Sequence, residues 1–356
     1  MQTALKHSAP RSPALIRFLR RQPHVYSAIC KARLGYTRYV AARLERTLYR
    51  QDKPLFAMHA FEARCCDELR TQGFTVIPDV FAPALMDTIL EKADRLFRSL
   101  QLDFYEAYSV QNNLRASLEG LTYEELEVSE KMIALQDPLL HIPECVDIAY
   151  HASILKIVTT FLGYIAPWYK VMVIRDFPGD RPREASNFHR DNDETDSIQA
   201  FIYLVDIDDT RGPLIYVPGT NRYDVKSCRP RLSRDLGLDA DDGRISDREI
   251  EKYYPQETWK AVRVKRGSIA IIHGNGFHKG PAWTKYGDPN NQARTAIRLD
   301  FHGHRLGSNK RRKGSRIRRE DYARLSKLQK LFTEESAVVA VSQAGDELTL
   351  SERLSR

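Results

Sequence analysis

The second half of this chain consists of short apolar runs separated by turns, and this pattern restricts the fold more than any other feature. After Gly163, runs rich in Val, Ile, Tyr and Phe alternate with clusters of Gly, Pro and Asp. The runs are Trp168–Ile174, Ile198–Val205, Leu214–Val217, Trp259–Val264, Ser268–Ile272 and Thr295–Phe301. Short strands that follow one another without long helices between them indicate an antiparallel sandwich or jelly roll.

The first half carries helical patterns, so we expect an α+β protein. Gly73 should end one helix, and a short β run from Thr75 to Pro78 should separate it from a second helix that buries Leu85 and Leu96. Residues 101–165 are predicted to be mostly helical and irregular, with an apolar helix at Ile154–Leu162. Further predictions are a loop or helix over 227–256 and a polar helix at Tyr322–Phe332.

The net charge of +8 is concentrated at the two ends of the chain. Residues 1–50 hold eleven Lys and Arg against one acid, and residues 301–320 hold eight against one. Basic ends suggest contact with an anionic membrane surface or a polyanion, although solvated tails have the same composition. Residues 13–50 read as a basic amphipathic helix that either lies on a membrane interface or packs on the main domain.

These features divide the chain into three parts. We predict a basic N-terminal helical extension over 1–55, a main domain over 56–305 with its β core at about 165–302, and a basic C-terminal extension over 306–356. No stretch approaches the roughly 18 consecutive apolar residues of a membrane-spanning helix, and no signal-peptide core is visible. The five cysteines form no zinc-binding spacing. We therefore expect a cytoplasmic protein, with a peripheral membrane contact as the alternative.

A His-x-Asp pair and one later histidine are the candidate catalytic and metal-binding residues. His189 and Asp191 stand two apart at the end of a strand, so that in an extended chain both side chains project to one side. His278 follows the apolar run GSIAIIH. Two imidazoles and one carboxylate are the ligand set of non-haem Fe(II) oxygenases, and they leave three coordination positions open. His273 is the alternative to His278, because the two cannot both face one ion from a regular strand.

An arginine in the last apolar run matches a second requirement of this chemistry. The usual co-substrate, 2-oxoglutarate, would chelate iron through its keto oxygen and the adjacent carboxylate, with O2 at the remaining position. Its far carboxylate needs a fixed, bidentate cation, which guanidinium supplies better than ammonium. Arg294 is the candidate, and Arg298, on the same strand face, is the alternative.

Residues 70–302 resemble the phytanoyl-CoA dioxygenase family of iron- and 2-oxoglutarate-dependent oxygenases. The resemblance rests on the segments DELRTQGFTVIPDVF, NFHRDND, FIYLVDIDD, GPLIYVPGTNR, GSIAIIHGNGFHKG and RTAIRLDF. It implies a double-stranded β-helix core of the jelly-roll or cupin type, with N-terminal helices packed around it. It also implies that His189, Asp191 and His278 bind iron and that Arg294 holds 2-oxoglutarate.

The chain departs from the family pattern at the co-substrate end. A Ser or Thr often lies two residues after the distal histidine and helps to bind the co-substrate carboxylate, and here that residue is Gly280. Thr284, Tyr286 or Thr295 could replace the missing hydroxyl. Phe201 stands where a Trp is common, and the stretch between the second histidine and the arginine is longer than usual.

The resemblance implies an enzyme that hydroxylates an unactivated C–H bond of a small-molecule or lipid-like substrate, releasing succinate and CO2. Asp191 favours hydroxylation over halogenation, because a halogenating enzyme normally lacks this carboxylate. Two other functions stay open at this stage. The chain could be an oxygenase-fold binding module, or its basic ends could recruit a macromolecular substrate such as nucleic acid or protein.

Overall fold

The structure is a computed structural model that describes residues 22–44, 51–99, 104–106, 122–128, 132–166, 168–179, 186–191, 196–232, 244–303, 315–333 and 335–340. The helices are α1 Pro23–Leu44, α2 Ala60–Thr71, α3 Pro83–Ser99, α4 Tyr123–Val128, α5 Pro138–His141, α6 Glu144–Ala149, α7 Ala152–Leu162, α8 Val225–Leu232, α9 Asp247–Glu251, α10 Arg319–Arg324 and α11 Lys327–Lys330. The strands are β1 Phe74–Ile77, β2 Phe104–Glu106, β3 Met132–Gln136, β4 Trp168–Asp176, β5 Ser197–Tyr203, β6 Leu214–Tyr216, β7 Lys260–Val262, β8 Ile269–His273, β9 His278–Lys279, β10 Arg294–His302, β11 Ile317–Arg318 and β12 Val338–Val339.

Two antiparallel sheets face each other and form the predicted jelly-roll core. Within the described residues, the larger sheet has the order β1-β8-β5-β10-β4-β3-β2 and the smaller has the order β7-β6-β9. Alternate residues of each strand point between the sheets. One buried cluster fills that space, with Phe201, Tyr203 and Ala296 from the larger sheet and Leu214 and Tyr216 from the smaller. The runs predicted as strands after Gly163 are confirmed to within a few residues at each end.

The opposite face of the larger sheet is covered by helices, which gives the α+β class. The residues that alternate along the strands with those of the inter-sheet cluster, such as Val173 and Ile297, point to this opposite face. They pack with Met86, Phe97 and Ile154 of the helices in the main core cluster. Helix α7 ends at Gly163, whose φ of +82° is a backbone conformation that glycine adopts without strain. By length and composition the described segment Glu144–Leu162 could cross a membrane, but it is mostly buried and forms two helices, α6 and α7.

The structure corrects two expectations drawn from the sequence. Residues 101–165 are not only helical and irregular, because β2 and β3 extend the larger sheet beyond β4. Strand β3 buries three consecutive residues, so its sequence lacks the alternation that marks a half-exposed strand. The polar helix predicted at Tyr322–Phe332 is two short helices, because Ser326 caps the second one with a reciprocal capping box to Gln329.

The N-terminal helix packs on the main domain. Its buried residues Cys30 and Leu34 contact Tyr223 and Cys228. Its Arg38 donates two hydrogen bonds to the buried carboxylate of Asp196, at 2.7 and 2.8 Å. Of the two placements considered for this basic helix, the structure therefore shows packing.

The C-terminal segment contributes to the core. The sequence pattern places this segment in an extension after residue 305, but four of its residues are buried in the main cluster: Ile317, Leu325, Leu328 and Phe332. The ring of Phe332 packs edge-on against those of Tyr169 and Phe301. The basic run at 304–314 lies outside the described residues.

We expect Phe332→Ala to lower the free energy of unfolding by about 3 kcal/mol, because it removes a large buried ring from the core. Glu320→Ala, at an exposed position of the same segment, should change it by no more than about 0.5 kcal/mol. Denaturant unfolding of both variants measures the difference. Equal effects would show that this segment is not part of the cooperative core.

Candidate iron and 2-oxoglutarate site

Two backbone hydrogen bonds join the segment that carries His189 to strand β9, and they bring the two candidate histidines side by side. The N–H of His189 donates to the carbonyl of His278 at 2.9 Å, and the N–H of His278 donates back at 3.1 Å. Directly paired residues project to the same face, and the two ring centroids lie 4.4 Å apart. Between His189 and Asp191, Arg190 points the other way, and its guanidinium lies between the rings of Tyr223 and Phe277.

The three predicted ligands converge on a common point. Their potential ligand atoms all lie within 4.8 Å of one another. The Oδ1 atom of Asp191 is 3.8 Å from Nε2 of His189 and 3.6 Å from Nε2 of His278. These separations suit atoms that share one ion at about 2 Å each.

Hydrogen bonds orient all three side chains toward that point. Nδ1 of His189 lies 3.0 Å from the carbonyl of Asn187, and Nδ1 of His278 lies 3.0 Å from the carbonyl of Gly276. A carbonyl can only accept, so each Nδ1 carries a proton, and the lone pair of the neutral imidazole is then on Nε2, the atom that faces the common point. Gln199 donates to Oδ2 of Asp191 at 2.9 Å, which leaves Oδ1 facing the two imidazoles.

The charge states fit metal binding. Burial, together with the charges of His278 and Arg244, holds the pKa of His189 well below its usual value. Burial alone would raise the pKa of Asp191, but the neighbouring histidines and Arg298 hold it below its usual value. At neutral pH, His189 is therefore neutral and the carboxyl is ionised, as metal ligands must be.

His273, the alternative second histidine, is occupied elsewhere. Its Nε2 lies 3.1 Å from Oδ1 of Asp196, and its Nδ1 lies 3.4 Å from the side-chain nitrogen of Asn221. It is buried and takes no part in the cluster of His189, Asp191 and His278. The geometry thus favours His278.

The two candidate arginines reach different places. Arg294 is buried, donates from Nε to Asp176 at 2.7 Å and from Nη1 to the carbonyl of Gly212 at 2.9 Å. A Cβ atom built on Gly280 would lie 3.4 Å from its Nη1. Gly280 and His278 are two residues apart on β9 and its extension, so the guanidinium lies on the same side as the His278 ring. Arg298 instead pairs with Asp300 at 2.8 Å.

The surroundings of Arg294 fit a ligand that carries a carboxylate. The hydroxyl of Tyr203, on the neighbouring strand, is buried and has no hydrogen-bond partner among the described residues. The hydroxyls expected to compensate for Gly280 lie elsewhere. Thr295 accepts from Arg175 at 2.9 Å, Tyr286 packs on Trp283, and Thr284 is exposed.

Sequence reasoning missed Gln199 and Tyr203. Both lie on β5 at positions that share a face with Phe201, and that alternation is visible in SIQAFIY. The pattern identifies the face that points between the sheets. It does not show which hydroxyl on that face lacks a partner, because that depends on the strand opposite.

Comparison with known proteins identifies the family. The family model described as phytanoyl-CoA dioxygenase (PhyH) matches residues 69–284. The chain therefore belongs to the phytanoyl-CoA dioxygenase family. A search of curated proteins gave no match.

Several solved structures are distantly similar to this chain. The epimerase SnoN in complex with Fe3+, alpha ketoglutarate and nogalamycin RO is 18% identical, over 68% of this chain and 84% of that chain, with a TM-score of 0.44. EvdO2 from Micromonospora carbonacea var. aurantiaca, complexed with 2-oxoglutarate, is 15% identical over 72% and 95%, with a TM-score of 0.44. EctD from S. alaskensis with bound Fe is 14% identical over 68% and 76%, with a TM-score of 0.45. Likeness at this level transfers no substrate to this chain.

Family membership and the ligand geometry define the class of protein. The chain is a non-haem iron oxygenase that uses Fe(II), 2-oxoglutarate and O2. The alternative of a binding module without catalysis is set aside by this membership.

We expect Gly274→Ala to weaken iron binding at least about 10-fold, because an added Cβ would lie 2.0 Å from Oδ2 of Asp191 and displace that carboxylate. Gly35→Ala is the matched control, since a Cβ there meets nothing within 4 Å. Anaerobic Fe(II) titration measures the affinity, and circular dichroism checks the fold. Unchanged affinity in the Gly274 variant would contradict the arrangement described for Asp191.

Proposed function

We propose that this enzyme hydroxylates a C–H bond of a small-molecule or lipid-like substrate, with release of succinate and CO2. In this proposal His189, Asp191 and His278 bind the iron, and Arg294 holds the far carboxylate of 2-oxoglutarate. The observation that carries the proposal is the convergence of the ligand atoms of two histidines and one carboxylate within 4.8 Å of one another.

Each residue of the proposed site has a definable task in this reaction. Bound iron with its co-substrate supplies the oxidising power that breaks the C–H bond. The protein fixes three ligands on one side of the ion, which leaves the other side for 2-oxoglutarate and O2. Gln199 holds one carboxylate oxygen of Asp191 so that the other faces the ion. Apolar side chains of the inter-sheet cluster, such as Phe201 and Leu214, exclude water from the co-substrate end.

Hydroxylation is favoured over halogenation by the carboxylate. Halogenation requires a ligand position open for halide, and here Asp191 fills that position. The neighbouring histidines and Arg298 lower the pKa of Asp191 and so keep it ionised, and the hydrogen bond from Gln199 fixes its orientation. An enzyme of this geometry has no vacant protein-ligand position for a halide ion.

A small substrate is favoured because the ligands are recessed. Within the described residues, the side chains of His189, Asp191 and His278 are 15%, 18% and 4% exposed. A reactive C–H bond must enter this recess, which a small or extended molecule does more easily than a folded macromolecule. Recruitment of a macromolecule or membrane by the basic ends, like the cytoplasmic location, stays a prediction.

We expect Asp191→Ala to abolish 2-oxoglutarate turnover, because the ion loses its anionic ligand and its charge balance. Purified protein is loaded with Fe(II), and succinate is measured first without added substrate and then with a panel of small molecules and fatty acyl compounds. Glu257→Ala, at an exposed surface position, should behave like the wild type. Retained succinate formation in the Asp191 variant would refute the ligand assignment.

Product mass on an active panel member then tests the reaction type. A hydroxylated product gains one oxygen atom, whereas an isomer keeps its mass and a ring-closed or desaturated product loses two hydrogen atoms. Only the first result agrees with the proposal.

We expect Arg294→Lys to raise the KM for 2-oxoglutarate about 10- to 100-fold, because lysine keeps the charge but loses the planar bidentate fork. Arg298→Lys is the matched comparison on the same strand face and should change this KM much less. Steady-state succinate formation at varied 2-oxoglutarate measures both variants. If Arg298→Lys has the larger effect, the roles of the two arginines are exchanged.

A further inference from the structure

The hydroxyl of Tyr203 is buried without a hydrogen-bond partner among the described residues. The residue is 1% exposed and lies at the end of β5. Buried hydroxyls are normally paired, and an unpaired one in a native protein calls for a missing partner. The neighbouring groups indicate what that partner is.

Tyr203 lies on the strand next to that of Arg294, and both side chains project from the same face of the sheet. In the register of β5 and β10, Tyr203 pairs directly with Ala296. Arg294 is two residues from Ala296, so it is the diagonal neighbour of Tyr203 on the same face, within reach of an aromatic side chain. The charges that act on the Tyr203 hydroxyl are those of Arg294 and Asp176.

The same face of β5 leads back to the iron ligands. Gln199, Phe201 and Tyr203 project to one side, and Gln199 hydrogen-bonds to Asp191. The rings of Phe201 and Tyr203 are stacked, with centroids 6.2 Å apart. This row of side chains therefore runs from the ligand cluster to Arg294, as a co-substrate with one end at each place requires.

Arg294 has N–H groups that the described residues do not use and that can bind a ligand. A guanidinium offers five N–H groups, and described residues accept from its Nε and from its Nη1. No described residue accepts from Nη2. A Cβ on Gly280 would lie 3.4 Å from Nη1 and 3.6 Å from Nη2, so the absence of a side chain at Gly280 leaves space beside the fork.

The hydroxyl of Tyr203 is a donor at physiological pH. Burial raises its pKa to about 12, so it keeps its proton. A protonated hydroxyl beside a guanidinium complements a carboxylate, since both donate and a carboxylate only accepts.

We propose that Tyr203 binds 2-oxoglutarate by donating its hydroxyl proton to the far carboxylate that Arg294 holds. The inference rests on the proposed function and adds a co-substrate-binding residue to it. Tyr203 takes the place of the hydroxyl that Gly280 lacks, and it does so from the larger sheet rather than from the loop after the second histidine.

The test is Tyr203→Phe, which removes the hydroxyl and keeps the ring on Phe201. Fe(II)-loaded protein is titrated anaerobically with 2-oxoglutarate, and binding is followed by visible absorption and calorimetry. We expect the Kd for 2-oxoglutarate to rise about 10- to 100-fold, since a hydrogen bond to a charged group is lost. Fe(II) affinity should be unchanged.

A co-substrate without the far carboxylate separates this role from a change of pocket shape. The affinity for 2-oxopentanoate, which has five carbons and no second carboxylate, should be equal in the wild type and the variant. Tyr150→Phe is the control for removing a buried tyrosine hydroxyl, because that hydroxyl contacts Thr333 at 2.7 Å in the helical layer. It should leave 2-oxoglutarate binding unchanged.

Thermal unfolding gives a second readout that a structural role would not produce. Without 2-oxoglutarate, Tyr203→Phe should unfold at a temperature equal to or above that of the wild type, because it removes an unpaired buried hydroxyl. With saturating 2-oxoglutarate the wild type should gain more stability than the variant.

An unchanged Kd for 2-oxoglutarate in Tyr203→Phe would overturn the inference. An equal loss of affinity for 2-oxopentanoate would do the same, since that loss would come from pocket shape. A wild-type protein that binds Fe(II) but not 2-oxoglutarate would instead refute the proposed function. The two failures are therefore distinguishable.

Discussion

The site depends on a pair of reciprocal backbone hydrogen bonds between His189 and His278. The two histidines are 89 positions apart in the sequence, so only strand pairing fixes their distance. Because these bonds pair the two residues directly, both side chains project to one face, and their ring centroids lie 4.4 Å apart. The carbonyls of Asn187 and Gly276 then fix the tautomers, and the contact of Asp191 with Gly274 adds the carboxylate. In the proposed site, the backbone thus positions the three ligand side chains without help from a metal.

The strands could be predicted from the sequence where burial alternates or where an apolar run is bounded by turns. The core strands β4, β5, β8 and β10 are of this kind, and so their pairing into a jelly roll was foreseeable. Strands β2 and β3 were not, because Phe104–Glu106 is short and Met132–Gln136 lacks alternation. Strand β3 joins the larger sheet by pairing with β4, and β2 joins it by pairing with β3. The pairing of β3 with β4 is a long-range contact that no local pattern reports. The burial of Ile317 and Phe332 has the same origin.

The candidate site shows a similar division. Spacing identified His189 and Asp191, because both lie on one short extended segment. The choice between His273 and His278 required the structure, which pairs His273 with Asp196. Arg294 and Arg298 lie on the same strand face, so sequence periodicity does not show which of them would bind 2-oxoglutarate. The structure separates them by their different partners and positions along that face. Tyr203 was invisible for a further reason, since an unpaired hydroxyl is a property of its surroundings.

The N-terminal helix is coupled to the loop that carries the second histidine. Arg38 of α1 bonds to Asp196, and Asp196 bonds to His273, which directly precedes Gly274. Gly274 in turn accepts from the backbone of Asp191 and donates to Ser197. Asp196 is almost completely buried, and a buried carboxylate is costly unless it is paired. Arg38 of α1 therefore offsets the buried charge of Asp196, whose other partner, His273, directly precedes Gly274. This helix, which is basic in composition, is in this way linked by hydrogen bonds to the segment that contacts Asp191, one of the proposed iron ligands.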